Sequence, residues 1–189
     1  MLEQEPQLIA SACDGDRGAY SALYDHYIAQ IYRFVYLKTG SKAEAEDLTH
    51  DVFLSAWQNI GTYRHRGHPF SSWLYQIARN KVIDHYRTRK FTSPIDETTE
   101  GIADLAMQTE HAADQTMELD RVQLAMRELS DDHQNILILR FVDDLTPGEI
   151  AEALGKTEGA VRLIQHRAIK NLRAILSDNE PQTNEDTLI

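Results

Sequence analysis

Cationic side chains interleaved with aromatic rings stand out in a chain whose formal net charge is −11. From Arg64 to Lys90 there are seven lysines or arginines (Arg64, Arg66, Arg79, Lys81, Arg87, Arg89, Lys90) against one acid, Asp84. Tyr63, Phe70, Trp73, Tyr75 and Tyr86 lie among them. Cations that follow a phosphate backbone beside rings that stack on unpaired bases suit single-stranded nucleic acid. Phe70 and Trp73 read as core residues. Residues 61–70, GTYRHRGHPF, hold two glycines and a proline and read as a loop. The binding role therefore falls on Tyr63, Arg64, His65 and Arg66. His65 and His68 could begin a metal site, but no cysteine or clustered ligand completes one, so no metal is expected.

A second cationic stretch runs from Lys156 to Arg173, with five lysines or arginines against one acid, Glu158. Its position follows from the residues before it. Thr146-Pro147-Gly148-Glu149 combines an N-cap threonine, a proline at the first helical position and a glutamate at the capping-box position. Ile150, Ala151 and Leu154 form the inward face of the short helix that follows. Gly155 breaks the chain, Thr157 caps again, and a longer helix carries Val161, Ile164, Ala168 and Leu172 inward. Two helices joined by a short glycine-containing turn describe a helix-turn-helix, whose second helix enters the DNA major groove. Its outward residues are then Glu158, Arg162, Gln165 and His166, with Arg167, Lys170 and Arg173 in reach of phosphates. An ordinary helical hairpin with a solvated basic face has the same local pattern.

The elements that position these stretches are helical. Tyr20, Leu23, Tyr24, Tyr27, Ile31, Phe34 and Val35 recur at spacings of three and four, predicting a helix within residues 8–38 that Asp14-Gly15-Asp16 interrupts early and Gly40 ends. Ser41 and Glu44 make a capping-box pattern before a second helix whose stripe is Ala45, Leu48, Val52 and Ala56; Gly61 closes it. Ser71 or Ser72 is expected to cap a third helix to about residue 89. Residues 92–118 contain seven acids and no lysine or arginine, the composition of a linker. The expected architecture is all-α: one helical domain over 8–90, an acidic flexible linker over 91–118, a second domain over 119–176, and a disordered acidic tail over 177–189.

Bulk properties narrow the function classes. Cys13 is the one cysteine, so no intramolecular disulfide framework exists. There is no apolar run of the roughly 18 residues that a membrane span needs, and no signal-peptide pattern, so a cytoplasmic protein without membrane insertion is expected. No nucleophile, base and orienting group cluster in the sequence. An enzymatic role and a resident cofactor are not expected.

The run Glu46-Asp47-Leu48-Thr49-His50-Asp51-Val52-Phe53-Leu54-Ser55-Ala56-Trp57 resembles region two of extracytoplasmic-function (ECF) RNA polymerase sigma factors. So do Phe70, Trp73-Leu74-Tyr75-Gln76-Ile77-Ala78-Arg79-Asn80 and Asp84-His85-Tyr86-Arg87. Leu129-Ser130, Ile136-Leu137 and the helix-turn-helix resemble region four of that family, so that the likeness runs from about residue 8 to 176. It implies a promoter-recognising subunit with three kinds of partner: core polymerase through its beta and beta-prime subunits, promoter DNA, and an anti-sigma factor. Asp47, His50, Asp51, Phe53 and Trp57 would lie in the helix that binds the beta-prime clamp. Asn80, Asp84 and Arg87 would face the minus-ten element, and residues 61–68 would capture an unstacked base. Region four would sit on the beta flap and read the minus-thirty-five element. His50 stands where many relatives carry glutamine, and Leu163-Ile164-Gln165 where Ser-Arg-Leu is common.

Overall fold

Local capping chemistry sets the helix boundaries. The computed structural model describes residues 4–64, 69–92, 121–122 and 124–178, with 89–92 as backbone. The linker expected over 91–118 and the tail expected over 177–189 lie almost entirely outside these residues. Helix α1 spans Glu5–Cys13. The Asp16 carboxylate then accepts from the Gly18 and Ala19 amides (2.8 and 3.2 Å) and starts α2, Arg17–Thr39. Gly40, at φ 70°, ends α2, and the Ser41 hydroxyl accepts from the Glu44 amide to open α3, Lys42–Asn59. A 3-10 turn at Ile60–Thr62 follows.

Helix α4 spans Phe70–Thr92. Neither expected serine caps it. The fixed φ of Pro69 lets the helix begin one residue on, so Ser71 and Ser72 fall within its first turn and are buried. The Phe70 amide is instead held by the carboxylate of Glu5 (3.2 Å), which also accepts from the Tyr27 hydroxyl (2.7 Å). Glu5 is thus buried with partners, as a carboxylate must be.

The second unit contains a helical stretch at residues 124–128, then α5 (Asp131–Phe141), α6 (Pro147–Leu154) and α7 (Glu158–Asp178). The expected capping box is complete. The Glu149 amide donates to the Thr146 hydroxyl, and the Thr146 amide to the Glu149 carboxylate (3.3 and 2.7 Å). Gly155 adopts φ 62° between α6 and α7, and the Thr157 hydroxyl accepts from the Ala160 amide. The all-α expectation holds: no strand occurs among the described residues.

The two units share one core. Leu23, Ile31 and Phe34 of α2, Val52 and Phe53 of α3, and Leu74 and Tyr75 of α4 form a buried cluster continuous with Ile136, Ile138 and Leu139 of α5 and Ile150 of α6. Polar contacts seal the seam. The Ser72 hydroxyl donates to the Glu149 carbonyl (3.3 Å), Arg33 to the Val142 carbonyl (3.4 Å), and Lys38 to Asp131 and to Gln134 (3.0 Å to the latter). Burial lowers the Lys38 pKa, while its bond to Asp131 opposes that shift.

Asp143, in the loop after α5, faces Tyr75 of α4 across this seam. Its carboxylate oxygens and the Tyr75 hydroxyl are buried without a hydrogen bond of good geometry. Burial pushes the Asp143 pKa up to about 6; Tyr75 and Arg33 oppose the shift and Asp144 adds to it. A carboxyl whose folded pKa is raised stabilises the native state fully below its unfolded pKa of 3.8, and that contribution is lost as pH rises through about 6. Asp143→Asn is therefore expected to be more stable than wild type at about pH 7.5, by on the order of 1 kcal/mol once partial exposure is discounted, and so to melt higher. The difference should close by about pH 3, where the carboxyl is protonated in the folded and the unfolded chain alike. Thermal melts of both proteins at the two pH values test this, and a gap independent of pH would mean that Asp143 carries no charge penalty.

Candidate nucleic-acid and polymerase interface

Three faces display the residues singled out above. On α3, Asp47, His50 and Asp51 are exposed on one stripe with Leu54, as spacings of three and four require. Leu54 is 46% exposed, whereas Phe53 is 3% exposed. Phe53 therefore does not belong to this surface. Its ring packs edge-on against Tyr24 (4.7 Å), and its carbonyl accepts the Tyr20 hydroxyl. Phe53 points about 100° around the helix from Leu54, into the core. Trp57 is half-buried against the Tyr20 ring (4.8 Å), at the edge of the stripe.

On α4, Gln76, Asn80, Asp84 and Arg87 are exposed along one side, and Asp84 and Arg87 pair at 3.0 Å. Arg79 instead turns toward the second unit, 4.0 Å from both Asp131 and Asp132. Between α3 and α4 lies a groove of about 390 Å³ lined by Asn59, Trp73, Gln76, Asn80, Lys81 and Asp84.

Around the loop, the ring expected to be free is not. Tyr63 is half-buried, with its ring 5.3 Å from Phe70 and 5.1 Å from Trp73, and burial pushes its pKa up to about 12. Arg64 folds back to donate to the carbonyls of Gly61 (3.2 Å) and Tyr63 (2.9 Å) but stays exposed. Phe70 is a core residue at 1% exposure, whereas Trp73, also read as core, is half-buried and lines both this groove and a neighbouring cleft of about 290 Å³. Tyr63, Arg64, Trp73 and Gln76 form the first unit's side of that cleft, and Glu152 of α6 closes it from the other. His65, Arg66 and His68 lie outside the described residues. Among the described residues no three His, Cys, Asp or Glu side chains cluster as a metal site.

On α7, Val161 and Ala168 are buried and Ile164 and Leu172 half-buried, in the inward register expected. Glu158, Arg162, His166, Arg167, Lys170 and Arg173 are exposed, with Glu158 and Arg162 paired along the helix. Gln165 departs from its expected orientation. It lies only about 40° around the helix from Val161, and is half-buried. The outward place belongs to Leu163, which is 52% exposed. Two exposed apolar residues on these faces, Leu54 and Leu163, are absent from the residues expected there. A helical wheel drawn from the buried stripes would have marked both.

The comparisons with known proteins agree with this layout. Residues 23–92 match the Sigma-70 region 2 family model and residues 125–174 the Sigma-70, region 4 model. The ECF RNA polymerase sigma factor BldN of Streptomyces coelicolor is 37% identical over 176 residues, covering 92% of this chain and 66% of its own length. SigW of Bacillus subtilis, another ECF sigma factor, is 32% identical over 173 residues, covering 87% of this chain and 92% of its own. A structure of the sigma factor RpoE with the anti-sigma factor NepR, from Bartonella quintana, superposes with a TM-score of 0.67 at 19% identity, over 85% of this chain and 98% of that one. Two sigma-70 regions on one helical chain define a DNA-binding transcription-initiation factor. The chain belongs to the ECF RNA polymerase sigma factors, which direct core polymerase to promoters.

Proposed function

We propose that the two units divide the work of a sigma subunit. Residues 8–90 dock on core polymerase and open the minus-ten element; residues 119–176 read the minus-thirty-five element, with 91–118 as the connector and 177–189 as a tail. The observation that carries this reading is the separation of charge between two exposed helix faces. The α3 stripe presents Asp47, His50, Asp51 and Leu54, whereas the outward face of α7 presents Arg162, Arg167, Lys170 and Arg173. An acidic face with one apolar anchor suits a protein partner. A cationic helix face suits DNA, whose affinity for cations comes from counterion release.

Asn80, Asp84 and Arg87 are assigned to the minus-ten strand, and the Trp73 cleft to an unstacked base. Glu152 occupies the far wall of that cleft, so its carboxylate faces any base that stacks on Trp73. Transcription by the polymerase supplies the chemistry, and the sigma subunit itself catalyses nothing. As a polymerase subunit it works in the cytoplasm; no described helix is long and apolar enough to cross a membrane. Relatives of this fold bind anti-sigma factors, and an anti-sigma partner that holds the two units is the regulation proposed here.

Run-off transcription tests the reading. Core polymerase alone should give no specific transcript from promoters enriched out of a random library, and addition of this chain should restore it. Specific DNA binding by the chain without polymerase, with no transcript in its presence, would identify an ordinary helix-turn-helix repressor instead.

A further inference from the structure

The outward face of α7 carries one large apolar side chain. Positions 159, 163, 166 and 170 share the side opposite the Val161–Ala168 stripe. They hold Gly159, Leu163, His166 and Lys170, all exposed. Leu163 is 52% exposed, in the half of the helix that a helix-turn-helix places nearest the base edges. One turn earlier, a Cβ built on Gly159 meets nothing within 4 Å. Glycine inside a helix is less favourable than alanine, and no packing inside the protein calls for it at this position. The result is a helix face bare at Gly159 and followed by a leucine, flanked by Arg162 (paired with Glu158), Arg167 and Lys170. Such a surface lets the helix backbone come close to a polyanion and then presses an apolar group against it.

In the major groove the apolar group available at a base edge is the C5-methyl of thymine; the other edges present hydrogen-bond donors and acceptors. A leucine set against those polar edges would strip their water without replacing its hydrogen bonds. We infer that Leu163 determines promoter specificity by packing on the C5-methyl of a thymine in the minus-thirty-five element. The inference rests on α7 being the promoter-reading helix.

Deoxyuridine, which lacks only that methyl, isolates the contact. Holoenzyme reconstituted from core polymerase and the full chain first selects a promoter from a pool randomised at minus thirty-five. Each thymine of the selected element is then replaced by deoxyuridine, one at a time. Wild type is expected to lose affinity at one or two positions by about fourfold, the worth of one buried methylene-sized group. With Leu163→Ala, thymine and deoxyuridine should bind alike at those positions. Leu163→Met, still apolar and long enough, should keep the discrimination. Lys170→Ala, which removes a phosphate contact, should weaken both templates equally. Leu163→Ala replaces an exposed side chain with a better helix former, so folding is spared. The inference is overturned if no selected thymine is sensitive to loss of its methyl, if the selected element holds no thymine, or if Leu163→Ala retains the discrimination. A holoenzyme with no promoter preference at all overturns the sigma-factor reading, and the role of Leu163 with it.

Discussion

Phe53→Ala is expected to destabilise the protein by about 3–5 kcal/mol, while Leu54→Ala, the very next residue, leaves stability nearly unchanged and weakens binding to core polymerase about thirtyfold, or about 2 kcal/mol. The two apolar side chains differ in their surroundings. Phe53 is 3% exposed, wedged against Tyr24 in the core shared by α2, α3 and α4. Its removal leaves a cavity that a packed interior fills only partly. Leu54 stands among Asp47, His50 and Asp51 with nearly half its surface in solvent. Alanine there costs little packing and favours the helix, so lost affinity at unchanged stability reports on a partner. Urea denaturation of both variants beside a pull-down on core polymerase separates the effects. Wild-type affinity in Leu54→Ala would remove the α3 stripe from the polymerase contact, and a stable Phe53→Ala would contradict the packing described.

The second large effect concerns strand opening. Trp73→Ala is expected to spare closed-complex formation but to lower opening of the minus-ten region at least fivefold, since stacking on one base contributes about 1–3 kcal/mol. Trp73 lines both cavities beside α4, and its ring is held by Tyr63 and Phe70 at 5.1 and 5.4 Å. Tyr63→Ala should therefore impair opening as well, by releasing the ring that positions Trp73. Tyr63→Phe keeps the ring and should melt promoters as wild type does. Permanganate reactivity of minus-ten thymines reads each case directly. Full reactivity in Trp73→Ala would dismiss the cleft as a base pocket, and a defect in Tyr63→Phe would shift the role to the hydroxyl.

Acidic overall charge does not conflict with these roles. The −11 total coexists with segments in which lysine and arginine far outnumber acids. Binding responds to the local field, which salt screens within about 10 Å, and far less to the sum.

Much of what depends on neighbours within four residues was legible in the chain itself, although the expected Ser71 or Ser72 cap and the outward place of Gln165 did not hold. The capping box of Thr146 and Glu149, the left-handed glycines at 40 and 155, and the inward register of Val161, Ile164, Ala168 and Leu172 are all present, because a helix end or stripe is decided by short-range hydrogen bonds and a period of 3.6. The charge map was equally legible, since it is a property of composition along the chain. Three things were settled only by tertiary packing. Adjacent apolar residues such as Phe53 and Leu54 carry the same hydropathic signal; the helical period sets Leu54 opposite the buried stripe, but only the position of α2 buries Phe53 on its flank. Tyr63 looked like a free loop ring until Phe70 and Trp73 folded back against it. The seam between the two units, with Arg33 reaching Val142 across 109 residues and Asp143 buried opposite Tyr75, leaves no periodic trace, because side chains so far apart in sequence meet only when two separately formed surfaces happen to fit.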